Sequence, residues 1–308
     1  MMNTNNYKHY NTLDNYYKTI FGYKIAKIAL NGGFTCPNRD GKVGVGGCAF
    51  CCGLGGNEFV CHENIPLEIQ FEIQRKIIIK KWPNAKYIVY FGNYSSTYAP
   101  FNFLAQLYKK ALCLDKDIVG ISIATRPDCI NEDIVSLLST FSTQYKVTIE
   151  LGLQTFNDSI AKMFNRCYET KIIYEAVKLI RTYNIDCVIH LINGLRYETK
   201  DSMINNAALL SKLDIQGVKF HMLYITKDST LGREYIKSPF ELLTLREYIE
   251  ILSYQIRLLK PNIIIHRICG DGKVDNLLAP KWIIKKLVVQ NELDKYMTTN
   301  NLFQGDLY

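Results

Sequence analysis

Cys36, Cys48 and Cys51 stand in a C-x11-C-x2-C arrangement inside the run C-P-N-R-D-G-K-V-G-V-G-G-C-A-F-C-C. The tight Cys48/Cys51 pair lets two thiolates converge on one metal centre, while Gly44, Gly46 and Gly47 let the intervening backbone fold closely around something bulky. Three thiolates are one short of a closed tetrahedral site. A cluster iron without a protein ligand is free to bind a small molecule, as an open zinc position is. The same stretch admits a different chemistry, in which Cys52, Cys61 or His62 adds a fourth ligand and closes a structural zinc site, stabilising a nucleic-acid-binding module without catalysis. A disulfide framework fits worst, because the ten cysteines are scattered and no secretory signal points to an oxidising compartment.

Something must position these thiols. At 308 residues the chain can bury one large α/β core, and 48% hydrophobic with 21% charged residues is ordinary globular composition. The polar start and the absence of a charge-free run of about 18 residues predict no membrane span and a cytoplasmic address, where thiols stay reduced. Interleaved Tyr and Lys residues before Ala29, among them Tyr7, Tyr10, Tyr16, Tyr17 and Tyr23, suit an amphipathic lead-in helix better than a stacking platform for single-stranded nucleic acid. Ile25 to Leu30 then reads as a strand that delivers the chain to Cys36.

After the cysteine loop a rhythm sets in. Helices are predicted over Pro66 to Trp82, Phe101 to Leu112, Asn131 to Thr140, Lys171 to Tyr183 and Asp201 to Leu213. Strands follow them over Lys86 to Phe91, Ile118 to Ala124, Lys146 to Leu151, Ile185 to Ile192 and Val218 to Leu223. Strands alternating with helices build a parallel sheet through right-handed crossovers. About six units make an α/β partial (β/α)6 TIM-type barrel the expected architecture, with an open doubly wound sheet as the other. Ligands of such folds sit at the carboxyl ends of the strands. Unusual polar residues fall there: Asn93 to Tyr98, Thr125 to Asp128, Glu150 and Gln154, His190 with Asn193 and Gly194, and His221. Each alone is as well explained by a hydrogen-bonded core residue, but five consecutive strand ends carrying them predict a site.

From Leu242 the pattern changes. A helix from about Leu243 to Leu259 gives way to Asn262 to Ile265, then the Gly-rich turn Cys269 to Gly272 and a basic helix from Trp282 to Lys295. This divides the chain into a lead-in (1–24), a barrel with its cysteine loop at 34–52 (25–240) and a C-terminal α/β extension (241–308) expected to close the barrel's open side. His266, Arg267 and Asp271 are either substrate contacts or a structural turn. The other cysteines show no cluster spacing, so no auxiliary cluster is expected.

Several runs together resemble the YhcC/YtqA-type radical S-adenosylmethionine (SAM) proteins, relatives of the radical SAM part of the Elongator catalytic subunit. They are F-T-C-P-N-R-D-G, G-G-C-x-F-C, T-Y-A-P, T-R-P-D, E-L-G-L-Q-T, H-L-I-x-G-L, V-K-F-H and H-R-x-x-G-D-G, spread over almost the whole chain. That family shares the long first cysteine gap. The resemblance implies that Cys36, Cys48 and Cys51 hold a [4Fe-4S] cluster whose fourth iron is chelated by SAM, and that reductive cleavage yields a 5′-deoxyadenosyl radical. It places Phe50 beside the adenine, the Gly92-Asn93 loop at the SAM amino group, Glu150 and Gln154 at ribose or methionine contacts, and Gly194 where adenine approaches backbone. Gly92-Asn93 and Arg196-Tyr197 depart from the residues usual in relatives. Some members look like the enzymes called MnmL, which convert a carboxymethylaminomethyl side chain at C5 of wobble uridine to aminomethyl. With 37 Lys+Arg against 29 Asp+Glu, a net +8 suits a phosphate-rich partner. tRNA is thus the expected substrate and a flavodoxin or ferredoxin the expected electron donor, with a small-molecule or protein substrate as the alternative. The residue that acts on substrate is not identified by this pattern.

Overall fold

The computed structural model describes residues 8–53, 55–56, 60–270 and 272–308. In chain order the elements are α1 (Leu13–Phe21), β1 (Ile25–Leu30), α2 (Leu67–Lys81), β2 (Lys86–Phe91), α3 (Phe101–Leu112), β3 (Ile118–Thr125), α4 (Glu132–Phe141) and β4 (Lys146–Gln154). There follow α5 (Asp158–Met163), α6 (Lys171–Thr182), β5 (Asp186–Asn193), α7 (Lys200–Leu210), β6 (Gly217–Met222), β7 (Ile225–Thr226) and α8 (Thr230–Lys237). The chain ends with α9 (Leu245–Leu258), β8 (Ile264–Arg267), β9 (Leu277–Ala279) and α10 (Lys286–Thr299).

Strands β1 to β6 lie side by side in chain order and all parallel, and β8 adds a seventh parallel strand beside β6. The expected six-unit partial barrel is therefore a seven-stranded half-barrel. The added strand was not predicted, and it takes His266 and Arg267 out of a turn into the sheet. A three-isoleucine run is too short to declare its partner, whereas the unpaired edge of β6 offers one. Asp271 lies outside the described residues. Strands β7 and β9, which the sequence did not predict, form a separate antiparallel ribbon.

Apolar faces explain the layers. Helices α3, α4 and α6 present Leu104, Val135, Leu138, Ile173 and Ile180 to the outer face of the sheet, where Val89, Ile121, Ile149 and Ile189 are also buried. The expected lead-in helix is α1, capped by Thr12, and it seals the amino ends of the strands with Tyr17 against Ile25 and Ile88. Thr12 bridges Ile265, and the Ile265 N–H donates to Asn11 O at 2.8 Å, so the chain's start covers the outer edge of β8. Among the described residues no helix is long and apolar enough to cross a membrane.

The lumen is polar. Adjacent strands lie about 4.8 Å apart, so β1 and β4 would be separated by roughly 14 Å in a flat sheet. Yet Lys27 on β1 reaches the Glu150 carboxylate on β4 at 2.6 Å. Only a strongly curled sheet allows that contact, and it puts one carboxylate at the centre of the half-barrel.

Candidate active site

The eleven residues between Cys36 and Cys48 do not hold the thiols apart, because they double back on themselves. Asp40 bridges Val45 in antiparallel fashion, the Val43 N–H donates to Pro37 O at 2.9 Å, and the Gly47 N–H donates to Asn38 O at 2.7 Å. Gly47 has φ +81, so the backbone conformation favours glycine there. The Cys51 N–H donates to Cys48 O at 2.9 Å, closing a turn that puts both thiols on one side. All three cysteines line one cavity of about 260 Å³ at the carboxyl ends of the strands.

The loop is clamped from outside by a segment that sequence reading passed over. Asn165 Nδ2 donates to Val45 O and Gly47 O at 3.1 and 2.8 Å, Asn38 Nδ2 donates to Asn165 O at 2.5 Å, and the Ala49 N–H donates to Phe164 O. Behind it Arg166, 1% exposed, donates to Leu153 O, Thr155 O and Tyr168 O and pairs with Asp158 at 2.6 Å. Tyr168 has the Arg126 and Arg166 guanidiniums 4.7 and 4.5 Å from its ring centre, and lines the cavity. Unusual backbone marks this segment, since Asn165 and Cys167 both take positive φ. The F-N-R-C-Y run between α5 and α6 was the available signal.

Each of the paired thiols is buried beside a guanidinium. Burial pushes the Cys48 and Cys51 thiols up to about 11, against the pull of Arg126 and Arg39 respectively. A metal deprotonates a coordinating thiol outright, and the two guanidiniums then face negative sulfur. Three soft donors on one cavity with cations beside them fit a thiolate-bound cluster. Among the described residues no three His, Cys, Asp or Glu side chains converge tightly enough to hold a single ion. A zinc site needs its donors about 2.0–2.3 Å from one centre, whereas a cluster spreads its thiolates over separate irons. Cys52 lines the cavity beside the three; Cys61 and His62 do not.

The other expected contacts separate into groups. Phe50 lines the cavity and packs on Phe164 at 6.0 Å between ring centres. Gly92 lines it too, with the Tyr90 ring filling the space a Cβ would need, and Asn93 is buried next to it. Gln154 faces in from a bulge at the end of β4, with φ +67, and its Oε1 accepts from the Tyr168 hydroxyl at 3.3 Å. Gly194, φ +84, lies at the end of β5 outside the cavity wall, where a Cβ would meet Leu243. Glu150 lines the cavity, but its oxygens already accept from Lys27 Nζ (2.6 Å), Ser122 Oγ (2.6 Å), His190 Nε2 (2.9 Å) and Lys219 Nζ. Burial would raise its pKa, yet Lys219 and Lys27 hold it well below the usual carboxylate range. A lysine inside I-A-K-I-A-L and another inside V-K-F-H are out of place in buried parallel strands, and that was the legible sign of this layer.

The chain matches the Radical SAM superfamily over residues 35–210 and the Radical SAM C-terminal domain over residues 215–299. It belongs to the radical SAM superfamily and is an enzyme of that class; membership implies a [4Fe-4S] cluster and SAM as cofactors. Its relatives include the uncharacterized protein YtqA of Bacillus subtilis, 36% identical over 99% of this chain and 94% of that one. YhcC of Escherichia coli is 31% identical over 92% of this chain and 90% of its own length. The archaeal Elp3 of Methanocaldococcus infernus shares the fold, with a TM-score of 0.67 at 15% identity over 91% of this chain. The chain spans 64% of that structure's length.

Proposed function

We propose that this protein is a tRNA-modifying radical SAM enzyme that converts the carboxymethylaminomethyl group at C5 of wobble uridine to aminomethyl. The observation that carries the site is a cavity lined by Cys36, Cys48, Cys51 and Phe50 at the mouth and by a charged layer within. Cys36, Cys48 and Cys51 hold the cluster, with Arg39 and Arg126 offsetting thiolate charge. When bound, the cluster and SAM supply an electron and a radical able to take hydrogen from an unactivated C–H bond. Phe50 lies against the adenine, the backbone at Gly92 and Asn93 receives the amino group, and Gln154 contacts ribose or methionine. Glu150 meets the cofactor as a neutralised wall and not as a free acceptor. The barrel shields the radical from water, and an external flavodoxin or ferredoxin delivers the electron.

Support for RNA comes from the +8 net charge, which suits a polyanion, and from the YtqA-type motifs. The test is mass spectrometry of tRNA nucleosides from a strain lacking the gene. Accumulation of 5-carboxymethylaminomethyluridine derivatives with loss of the aminomethyl ones is expected. Unchanged wobble uridines in the deletion strain would end the proposal.

A further inference from the structure

Below the cluster loop, two lysines lean on one carboxylate. Lys27 enters from β1 and Lys219 from β6, and Glu150 is the one carboxylate among the residues described as lining the cavity. Arg267 lines the same floor. The histidines of this layer add no balancing anion and no charge: burial, then Lys219, pushes His190 down to about 4, and burial holds His221 and His266 well below their usual range. Lys219 itself, 5% exposed, is pulled down to about 7, by burial first and then by Lys27 and Arg267 against Glu150. Among the described residues, two ammoniums, Lys27 and the buried Lys219, share the single Glu150 carboxylate, an arrangement that an entering anion would relieve.

Two groups that line the cavity could meet such an anion. An ammonium has three donors, and Glu150 takes one from Lys219 while the Tyr90 ring lies 4.8 Å from its nitrogen. His221 follows two residues later on β6, hence on the same face of the strand, and lines the cavity with Nε2 buried and without a hydrogen-bond partner. A buried ring nitrogen left unpaired is a free-energy deficit that a ligand can remove.

We infer that Lys219 Nζ and His221 Nε2 form an anion subsite at the cavity floor that receives the carboxylate of the substrate's side chain. Taking that carboxylate as the carboxymethyl end of the wobble-uridine group rests on the tRNA reading above. His221 donates from its Nε2–H tautomer, Lys219 supplies the charge, and the methylene next to the carboxylate is held between floor and mouth.

The test compares two anticodon stem-loop RNAs, one with 5-carboxymethylaminomethyluridine at the wobble position and one with its methyl ester. Both carry the same phosphates, so their difference isolates one carboxylate. Binding is measured by fluorescence anisotropy to the cluster-reconstituted, SAM-loaded protein under anaerobic, unreduced conditions. The acid should bind roughly tenfold or more tightly than the ester. Lys219→Met should cut that ratio to about twofold or less, Lys219→Arg should restore most of it, and His221→Phe should reduce it with the lysine intact. Equal wild-type affinity for both RNAs, each above an unmodified stem-loop, overturns the subsite and leaves the wobble-uridine reading standing. If neither RNA exceeds the unmodified stem-loop, the wobble-uridine reading falls, and sodium acetate alone judges the floor. Acetate raising the melting temperature of wild type but not of Lys219→Met upholds the subsite; no rise in either sinks it.

Discussion

Replacing Glu150 by Gln removes the one charge that balances the lumen, and the size of the effect follows from its contacts. The carboxylate accepts from Lys27, Ser122, His190 and Lys219 and has no exposed surface. An amide offers one acceptor oxygen and turns two N–H donors toward groups that are themselves donors. Removing one partner of a buried ion pair costs about 3–5 kcal/mol. For a chain of this size each kcal/mol moves the melting temperature by about 2–4 °C, so a fall of roughly 6–20 °C is expected at pH 7. Lys27→Met is the control, since Lys219, His190 and Ser122 still satisfy Glu150; its cost should be about 1.5–3 kcal/mol. The pH dependence has a definite sign. The depressed Glu150 pKa contributes stability that is full above the unfolded carboxylate range and lost as pH falls below it, so it is constant between pH 7 and 9. In Glu150→Gln the lysines lose their counter-ion and the folded variant binds fewer protons than folded wild type. Raising the pH from 7 to 9 should then narrow the gap. Differential scanning fluorimetry of both proteins at the two pH values measures this. A loss under about 2 °C at pH 7, or a gap that widens with pH, would refute the counter-ion argument.

Other consequences are open to direct measurement. Single Cys36→Ala, Cys48→Ala and Cys51→Ala variants should each lose most of about four irons per chain after anaerobic reconstitution, while Cys52→Ser should retain them; iron and sulfide analysis decides. Arg166→Met strips the clamp of Leu153 O, Thr155 O and Asp158, and should destabilise by about 3–5 kcal/mol and speed hydrogen exchange across residues 44–52; unchanged exchange there would separate the clamp from the loop. Lys219, lowered to about 7, faces Glu150, Lys27, Arg267, His190, His221, His266 and the Tyr90 ring. Affinity for the carboxylate-bearing stem-loop relative to its ester should therefore fall as pH rises past about 7; a ratio that is flat or rising from pH 6.5 to 9 contradicts it.

Much of the outline was legible in the residues. Short apolar runs such as Y-I-V-Y-F and helices with apolar residues at helical spacing encode parallel crossovers locally, and each βα unit could be read without its neighbours. The strand-end residues were also readable as a set, because Glu150, Gln154, His190 and His221 break otherwise apolar segments. The thiols were legible as ligands by type and spacing, though the eleven-residue gap was not explained by spacing.

The amino-acid sequence by itself determined the alternation of strands and helices, the identity of the three thiols and the family, since these depend on residue type and local order. Tertiary structure alone decided the rest. The Asp40–Val45 fold-back brings Cys36 to Cys48, the Asn165 and Arg166 clamp holds the loop, and β8 arrives from the C-terminal segment to pair with β6. Above all, Lys27, Glu150 and Lys219 are separated by 123 and 69 residues, and no local pattern announces that they touch. Their contact depends on the curl of the sheet, which turns alternate side chains of every strand toward one interior.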